Sequence, residues 1–483
     1  MEQKPVSLLQ TRRQFIRQAA CAALGTTALT SAISDLRLMN AAVAQSNVQD
    51  YKALVCIFLQ GGNDSNNLIL PTIQEEYNNY ATIRTPVLAI PQTSILPVTS
   101  LASDGHSYGL HPSCPELQAL FGEGKLAVLF NTGTLVFPLT RSQYQSNAFK
   151  KPPQLFSHSD QQTQWQTSIP DQPPLTGWGG RCADIMAAVQ PNAPISLSVT
   201  LSGSNTFEVG NTISQYSVST EGAIALSGVS GARLAALTNI LGYSYPNMQA
   251  QAYAGVAKHS IDTGSLLNNA ILPTKLATYW TTPFPTRITP PTGGNAFNSS
   301  LAPQLQMAAR LIEAGNRSQA NGGFGMRRQI FFCQVGGYDL HTNQTSQGDT
   351  TTGSHANLLA ELSQCLLAFQ RAMEQLGLSK NVTAFTASDF GRTFPSNGQG
   401  TDHGWGSHHL ILGGAVKGQQ TYGKFPTLAV NGPDDTNTGR WIPTTAIDQY
   451  FSTLASWFGV DQGKLATVFP NIGRFATPNL GFL

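Results

Sequence analysis

An α/β fold, with a largely parallel sheet sandwiched between helical layers, is what this 483-residue sequence predicts. Two observations carry that prediction. Apolar runs of strand length read as continuous rather than alternating, as strands covered on both faces do. Between these runs lie stretches with helical spacing, and strands that alternate with helices pair in parallel. The length allows one large α/β domain or two smaller ones.

In chain order, "TRRQFIRQAACAALGTTALTSAI" comes first, with adjacent Arg12 and Arg13 before Phe15, Ile16 and a modest run of Ala, Leu and Thr. "AVAQS" then offers a small-x-small cleavage site after Ala44. The segment resembles a twin-arginine export signal, whose apolar region is weaker than that of an ordinary secretory signal. The alternative is an amphipathic N-terminal helix of the folded domain. Residues 1–44 are therefore expected to be removed, and residues 45–483 to form a single domain, periplasmic or secreted. That route carries folded passengers, which suits a protein already loaded with its cofactor. No later run approaches the ~20 apolar residues that span a bilayer, so no transmembrane span is expected in the mature chain.

"ALVCIFLQ" is the first strand, and Gly61 and Gly62 permit a sharp exit that brings Asp64 to the sheet's carboxyl edge. "CPELQALFGEG" has helical spacing, "LAVLFNTG" is a strand, and Thr140, Arg141 and Ser142 start a helix after it. "GWGGRCADIMAAV" is helical and "PISLSV" a strand. Residues 219–271 read as wholly helical with no strand partner, an inserted cap or side helices. The Pro-rich "PFPTRITPPTGG" that follows marks a linker or surface excursion. "SLAPQLQMAARLIEAG" is helical, and the strand "QIFFCQV" leads through two glycines to Asp339 and His341. The next helix sets Leu358, Leu359, Leu362, Leu366 and Phe369 on one face. The strand "VTAFTAS" then delivers Asp389, with Gly391 and Arg392 just beyond. "GTDHGWGSHH" carries Asp402, His403, His408 and His409 into the strand "HLILGG". "TTAIDQYFSTLASWFGV" is the last amphipathic helix, with Thr444 or Thr445 as its N-cap.

Charged residues make up 11%, well under the roughly 25% of an average soluble protein, and the formal net charge is +2. That balance leaves no electrostatic footprint for nucleic acid. "LQGGNDSN" lacks the Lys of a Walker loop and the glycine spacing of a Rossmann loop. Cys56, Cys114, Cys182, Cys333 and Cys365 remain once Cys21 leaves with the signal, and none forms a CxxC pair. Cys56 and Cys333 sit in strand runs as buried thiols, so none or one disulfide is expected.

Three times, a buried strand ends in a small-residue turn followed by an Asp: Asp64, Asp339 and Asp389. Parallel strands all end on one side of the sheet, so these carboxylates can converge. Like charges a few ångströms apart raise one another's pKa, and divalent cations or bound protons must compensate. Neutral imidazoles from His341 and His403 complete a mixed O/N set that suits Zn, Mn or Fe better than Ca. The expected cofactor is a divalent metal ion (Zn, Mn or Ca) at Asp64, Asp339, His341, Asp389, Asp402 and His403. Singly, an Asp after a strand is also an ordinary N-cap or Asx-turn residue. A nucleophilic hydroxyl is sought in Thr140 or Ser142, at a helix N-terminus whose N–H groups favour a developing oxyanion; Thr140 as a plain N-cap is the competing role. Arg141 and Arg392 are candidates to hold the oxygens of a tetrahedral oxyanion bidentately, with a structural pair to Asp389 or Asp64 as the alternative for Arg392. "LFSHSDQQTQWQTS" sets His158, Asp160 and Trp165 at a pocket mouth, or packs them as a surface loop. His106, His111, His259 and His355 read as structural or exposed.

With these motifs in order ("FLQGGNDSNNLILP", "FPLTRSQY", "FSHSDQQTQWQ", "GGYDLHTNQ", "SDFGRT", "GTDHGWGSHHLILGGAVKG" and "PTTAIDQYFSTLASWFG"), nearly the whole mature chain resembles the bacterial domain-of-unknown-function 1501 (DUF1501) family. The resemblance implies a three-layer α/β/α sandwich of the alkaline phosphatase and sulfatase kind, with a di-metal site at the sheet's carboxyl edge. It puts Asp64 in the place of the first-strand Asp, Asp389 in that of the late-strand Asp, Asp339 and His341 on the intermediate loop, and His403 as the downstream His. Phe390 stands where that superfamily pairs a His with the late Asp, and the gap between Asp339 and His341 is shorter than usual there. The expected function is an exported, metal-dependent hydrolase of small-molecule phosphate or sulfate esters. Thr140 or Ser142 would attack and Arg392 would stabilise the added charge. The alternative is a non-catalytic exported protein of the same fold that binds or assembles with a second exported protein.

Overall fold

The computed structural model describes residue 48 and residues 50–483, apart from 174, 225, 227 and 277. The expected export signal lies outside the described residues. Gln49–Leu483 gather as one compact unit.

Each continuous apolar run becomes a strand, and nearly every residue in it is buried. The strands are β1 (Lys52–Leu59), β2 (Ile69–Pro71), β3 (Leu96–Val98), β4 (Tyr108–Leu110), β5 (Leu126–Gly133), β6 (Ser198–Thr200), β7 (Tyr216–Ser219), β8 (Gly222–Ala223), β9 (Arg287–Ile288), β10 (Phe297–Asn298), β11 (Arg328–Val335), β12 (Val382–Ser388), β13 (Ser407–Leu412), β14 (Gln420–Tyr422) and β15 (Thr445–Ala446). The central sheet runs β14-β5-β13-β12-β1-β11-β6-β7-β8, with β15 on β5. Its pairs are parallel except those of β13 with β12 and β5, and of β8 with β7. The reversal at β13 has a simple cause. The segment between β12 and β13 stays at the carboxyl edge, and a chain that turns there without a crossover helix re-enters the sheet antiparallel.

The helices are α1 (Gln74–Leu88), α2 (Pro115–Gly122), α3 (Arg141–Gln145), α4 (His158–Thr167), α5 (Trp178–Ala187), α6 (Gly231–Leu241), α7 (Met248–Ile271), α8 (Ala302–Asn316), α9 (Ser354–Gln375), α10 (Ile447–Phe458) and α11 (Leu465–Val468). In one layer α9 packs on α2 and α8, and α8 on β11. In the other, α11 packs on α5 and α10, while α5 meets β11 and α10 meets β1. On α9, Leu359, Leu362, Leu366 and Phe369 are buried as the spacing requires, and Leu358 lies at the margin. Each fully buried side chain of this size stabilises the fold by roughly 1.5–3 kcal/mol. On α10, Phe451 stacks on Trp178 with ring centroids 4.4 Å apart.

Three local expectations need correction. The helix α10 begins one residue late for a Thr445 cap and two for a Thr444 cap, because Thr445 is paired in β15 with Thr132 of β5. Ala446 takes the cap position, and its N–H donates to Gln449 Oε1 at 2.9 Å. The segment 219–271 is not helical throughout, since Gly222–Ala223 pair back on β7 before α6 and α7 begin. The "PISLSV" run gives only the short β6. The five described cysteines are free, buried thiols. Among the described residues no helix is long and apolar enough to cross a membrane.

Candidate metal centre

The strands β1, β11 and β12 end level, Leu59 being paired with both Val335 and Ser388. The chain therefore leaves all three at one edge. Gly61 and Gly62 take φ of 115° and 86°, a region that favours glycine. A Cβ on Gly61 would lie 2.4 Å from the Asp339 nitrogen, and one on Gly62 would lie 2.5 Å from the Phe390 ring. The first turn is thus pressed against the other two. The Gly61 N–H donates to Asp389 Oδ1 (3.1 Å) and the Asn63 N–H to Ser388 Oγ (2.9 Å). Beyond β12 the chain folds on itself: the Gly404 N–H donates to the Gly391 carbonyl (2.7 Å) and the Thr393 N–H to that of Asp402 (2.9 Å). Arg392 and His403 pair as an antiparallel bridge, which lays His403 over the strand ends.

Asp389 is fully buried. Its Oδ2 accepts from His158 Nδ1 (2.7 Å) and Gln162 Nε2 (2.9 Å), two side chains one turn apart at the start of α4. The hydrogen bond to Asp389 raises the His158 pKa above its ordinary value, although burial works the other way. With Nδ1–H so engaged, His158 turns its Nε2 toward Asp339 Oδ2 at 3.4 Å. His403 donates Nδ1–H to the Phe156 carbonyl (2.8 Å), and its Nε2 faces Asp339 Oδ1 (3.2 Å) and His341 Nε2 (2.9 Å). His341 donates Nδ1–H to Asp402 Oδ1 (3.0 Å), and its own Nε2 is 3.1 Å from Asp339 Oδ1.

Those hydrogen bonds place a proton on each Nδ1, so that in the neutral rings each Nε2 turns a lone pair toward the carboxylate. Nitrogens of His158, His341 and His403 face the Asp339 carboxylate, whose Oδ1 also accepts from Arg392 Nη1. Either an added proton or a cation must occupy the space. Burial lowers the His403 pKa, which weighs against a proton there, whereas the hydrogen bond to Asp389 raises that of His158. Ligand atoms of His158, Asp339 and His403 all lie within 4.8 Å of one another. The His158–Asp339 and His403–Asp339 separations of 3.4 and 3.2 Å are close to the roughly 3.3 Å edge of a tetrahedron with bonds of about 2.0–2.1 Å. The residues present fit a divalent cation.

Arg392 is buried beside this group. It donates Nη1 to Asp339 Oδ1 (2.8 Å) and the Gly61 carbonyl (3.3 Å), Nε to Thr401 Oγ1 (3.2 Å), and Nη2 to the Thr401 carbonyl. Burial opposes ionisation of Asp339, yet Arg392 and the nearby His158 and His341 hold its pKa below the usual carboxylate value. Phe390 closes the far side, its ring centroid 4.9 Å from that of His158 and 4.6 Å from that of His403.

The expected residues divide into three groups. Asp339, His341 and His403 turn an oxygen and two Nε2 atoms toward one another at the centre. Asp389 and Asp402 stand behind, each orienting a histidine through Nδ1, as carboxylates commonly do in metal sites. Asp64 reaches the same edge, but its buried carboxylate is neutralised by Arg84 Nη2 and also accepts from Gln344 Nε2. Burial alone would raise the Asp64 pKa; Arg84 and His355 bring it below the ordinary value. Asp64 joins the centre only indirectly, since Gln344 Oε1 accepts from Thr401 (2.9 Å), which in turn accepts from Arg392. Arg392 thus pairs with Asp339, not with Asp389 or Asp64.

Thr140, Arg141 and Ser142 are occupied elsewhere. Thr140 caps α3 in a box with Gln143, and its hydroxyl is 3.1 Å from that of Ser142. Arg141 donates to the Asp435 carbonyl (3.0 Å) and to Asn431 and Asn437. None of their hydrogen bonds reaches the centre.

His158 belongs at the centre rather than at a pocket mouth, and Gln162 escapes sequence reasoning altogether. Their four-residue spacing on α4 is the available signal. Trp165 is buried and packs on His409, with centroids 4.7 Å apart. Asp160 accepts from the Ser157 hydroxyl. His355 is structural, bonded to Asn63 Oδ1 (3.0 Å), and His408 Nδ1 accepts from the Asn131 N–H (3.1 Å).

Three solved structures are similar to this chain in outline. The lipoteichoic acid synthase LtaP from Listeria monocytogenes is 8% identical with a TM-score of 0.33, the match covering 86% of this chain and 73% of that one. Ps i-CgsB in complex with k-i-k-neocarrahexaose is 8% identical with a TM-score of 0.33, over 89% and 78%. The PsFucS1 sulfatase from Pseudoalteromonas sp. is 9% identical with a TM-score of 0.27, over 88% and 72%. No curated protein matches the chain. The model of the family described as "Protein of unknown function (DUF1501)" matches residues 51–449, and the chain belongs to that family.

Proposed function

We propose that the protein is a metal-dependent hydrolase of phosphate or sulfate esters that acts in the periplasm or outside the cell after twin-arginine export. The observation that carries this reading is the meeting of imidazole nitrogens of His158, His341 and His403 at the Asp339 carboxylate. His158, Asp339 and His403 would hold the ion, with His341 at their side. Two or three imidazoles with one carboxylate suit Zn or Mn, whereas Ca takes six to eight oxygens. A divalent cation there supplies Lewis-acid polarisation of an ester oxygen and of water.

The chain's own residues prepare that role. Asp389 and the Phe156 carbonyl fix the tautomers of His158 and His403. Arg392 keeps Asp339 ionised and in place. Phe390 denies water one face of both rings.

The test is elemental analysis of natively exported protein, together with turnover of an aryl phosphate and an aryl sulfate. Stoichiometric Zn or Mn and turnover of one ester, both lost in His403→Ala, are expected. Metal-free protein whose melting temperature ignores added Zn and Mn would end this reading. One observation favours a non-catalytic binding or assembly role with a second exported protein. Among the described residues no Ser, Thr or Cys side chain hydrogen-bonds to His158, Asp339 or His403. Bound metal without turnover of any ester would select that role.

A further inference from the structure

From the centre, Gln162 leads into a cleft of about 500 Å³ whose lining has an unusual composition. Gln60, Gln162, Gln166, Ser202, Gln215 and Gln334 contribute amides and hydroxyls, Val209 is the one apolar side chain, and no charged side chain takes part. The volume falls in the roughly 300–1,000 Å³ range of small-molecule sites. We infer that this cleft is a subsite for a neutral polyhydroxyl group, the carbohydrate portion of an esterified substrate. This rests on the hydrolase reading for the bond that is cleaved, but not for the binding itself.

The hydrogen-bond inventory supports the assignment. Gln162 spends its Nε2 on Asp389, which leaves Oε1 without a partner. Gln166 Oε1 accepts the N–H groups of Thr206 (2.8 Å) and Phe207 (3.2 Å), so its Nε2 is free. Gln215 Oε1 accepts from the Asn205 N–H (3.2 Å), again with Nε2 free. Gln334 gives its Nε2 to Gln60 (2.7 Å) and keeps Oε1 free. Among the described residues each of these amides has one end anchored and the other unpaired, so the free donors and acceptors are held in fixed directions before a ligand arrives. A sugar hydroxyl both donates and accepts, which this mixture of free N–H and C=O groups matches. A nucleotide or other polyanion would call for cations the lining lacks, and an acyl chain would call for an apolar wall.

The experiment is isothermal titration calorimetry of the full-length exported protein with three neutral hexasaccharides: cellohexaose, maltohexaose and agarohexaose. Saturable binding of at least one is expected. Ser204→Trp, on the exposed rim of the cleft, should weaken it tenfold or more. Gln166→Glu, which keeps the acceptor to the backbone and removes the free donor, should weaken it several-fold. His403→Ala should leave saccharide binding unchanged while removing metal. No binding by any of the three, or binding indifferent to Ser204→Trp, overturns the proposal. Saccharide binding by a protein that holds no metal would instead overturn the hydrolase reading and leave the subsite standing.

Discussion

Replacing Asp389 by Asn isolates the part of the centre that touches no ion. Both carboxylate oxygens of Asp389 are acceptors, Oδ1 toward the Gly61 N–H and Oδ2 toward His158 Nδ1 and Gln162 Nε2. An amide has one oxygen and one NH2, so whichever way the substituted side chain turned, a donor would face a donor in a fully buried site. Leaving such a group unsatisfied costs about 1–3 kcal/mol of stability. If the NH2 faces His158, that ring loses the partner that fixes its tautomer. Loss of such a support typically weakens metal binding about 10–100-fold, or about 1.4–2.7 kcal/mol. Two measurements separate the effects: urea unfolding of the metal-free proteins, and Zn affinity by competition with a chelating dye. Lower stability with a Zn affinity within about twofold of the parent would refute the assignment of Asp389 as the orienting partner of His158.

Arg84→Met should leave the Asp64 carboxylate buried and unpaired, at a cost of about 3–5 kcal/mol in urea unfolding. The metal content per folded molecule should stay unchanged; a lost metal equivalent would show that Asp64 serves the centre directly. Burial pushes the Glu208 pKa up to about 8 from its ordinary value of 4.5. A carboxyl raised on folding contributes stability that is fully present below about pH 4.5 and is lost as pH climbs through about 8. The loss reaches roughly 3 kcal/mol by pH 7, and Glu208→Gln should flatten the urea midpoint between pH 5 and pH 8; an unaltered profile would place the proton elsewhere. Thr140→Val should cost about 0.5–2 kcal/mol through the lost cap and leave ester turnover within about twofold. Abolished turnover in a metal-loaded variant would restore Thr140 as the nucleophile.

The sheet is readable because strands covered on both faces are apolar along their whole length, as β1, β5 and β12 show. Strand direction leaves no such mark, so the reversal of β13 is invisible in "HLILGG". Asp64, Asp339 and Asp389 can be found from the repeated pattern of a strand, a tight turn and an acid, and His403 from the "GTDHGWGSHH" run. What that pattern cannot tell is which acid faces an ion and which faces an imidazole or a guanidinium. Asp64 shows the difficulty: its counter-charge, Arg84, sits within α1 with nothing in its neighbours to announce it. His158 is hard to rank for a related reason. It comes from a helix rather than from a strand end, and only its spacing with Gln162 points inward.

The flush ends of β1, β11 and β12 turn the sheet into a gauge. A slip of one residue between neighbouring strands would carry Asp339 or Asp389 along by roughly 3.3 Å, farther than the ~2.1 Å reach of a metal bond. Any ion held at the rim would therefore resist such slippage. Substitutions deep in the ladder, remote from every ligand, should then be felt as changes in how tightly the ion is kept.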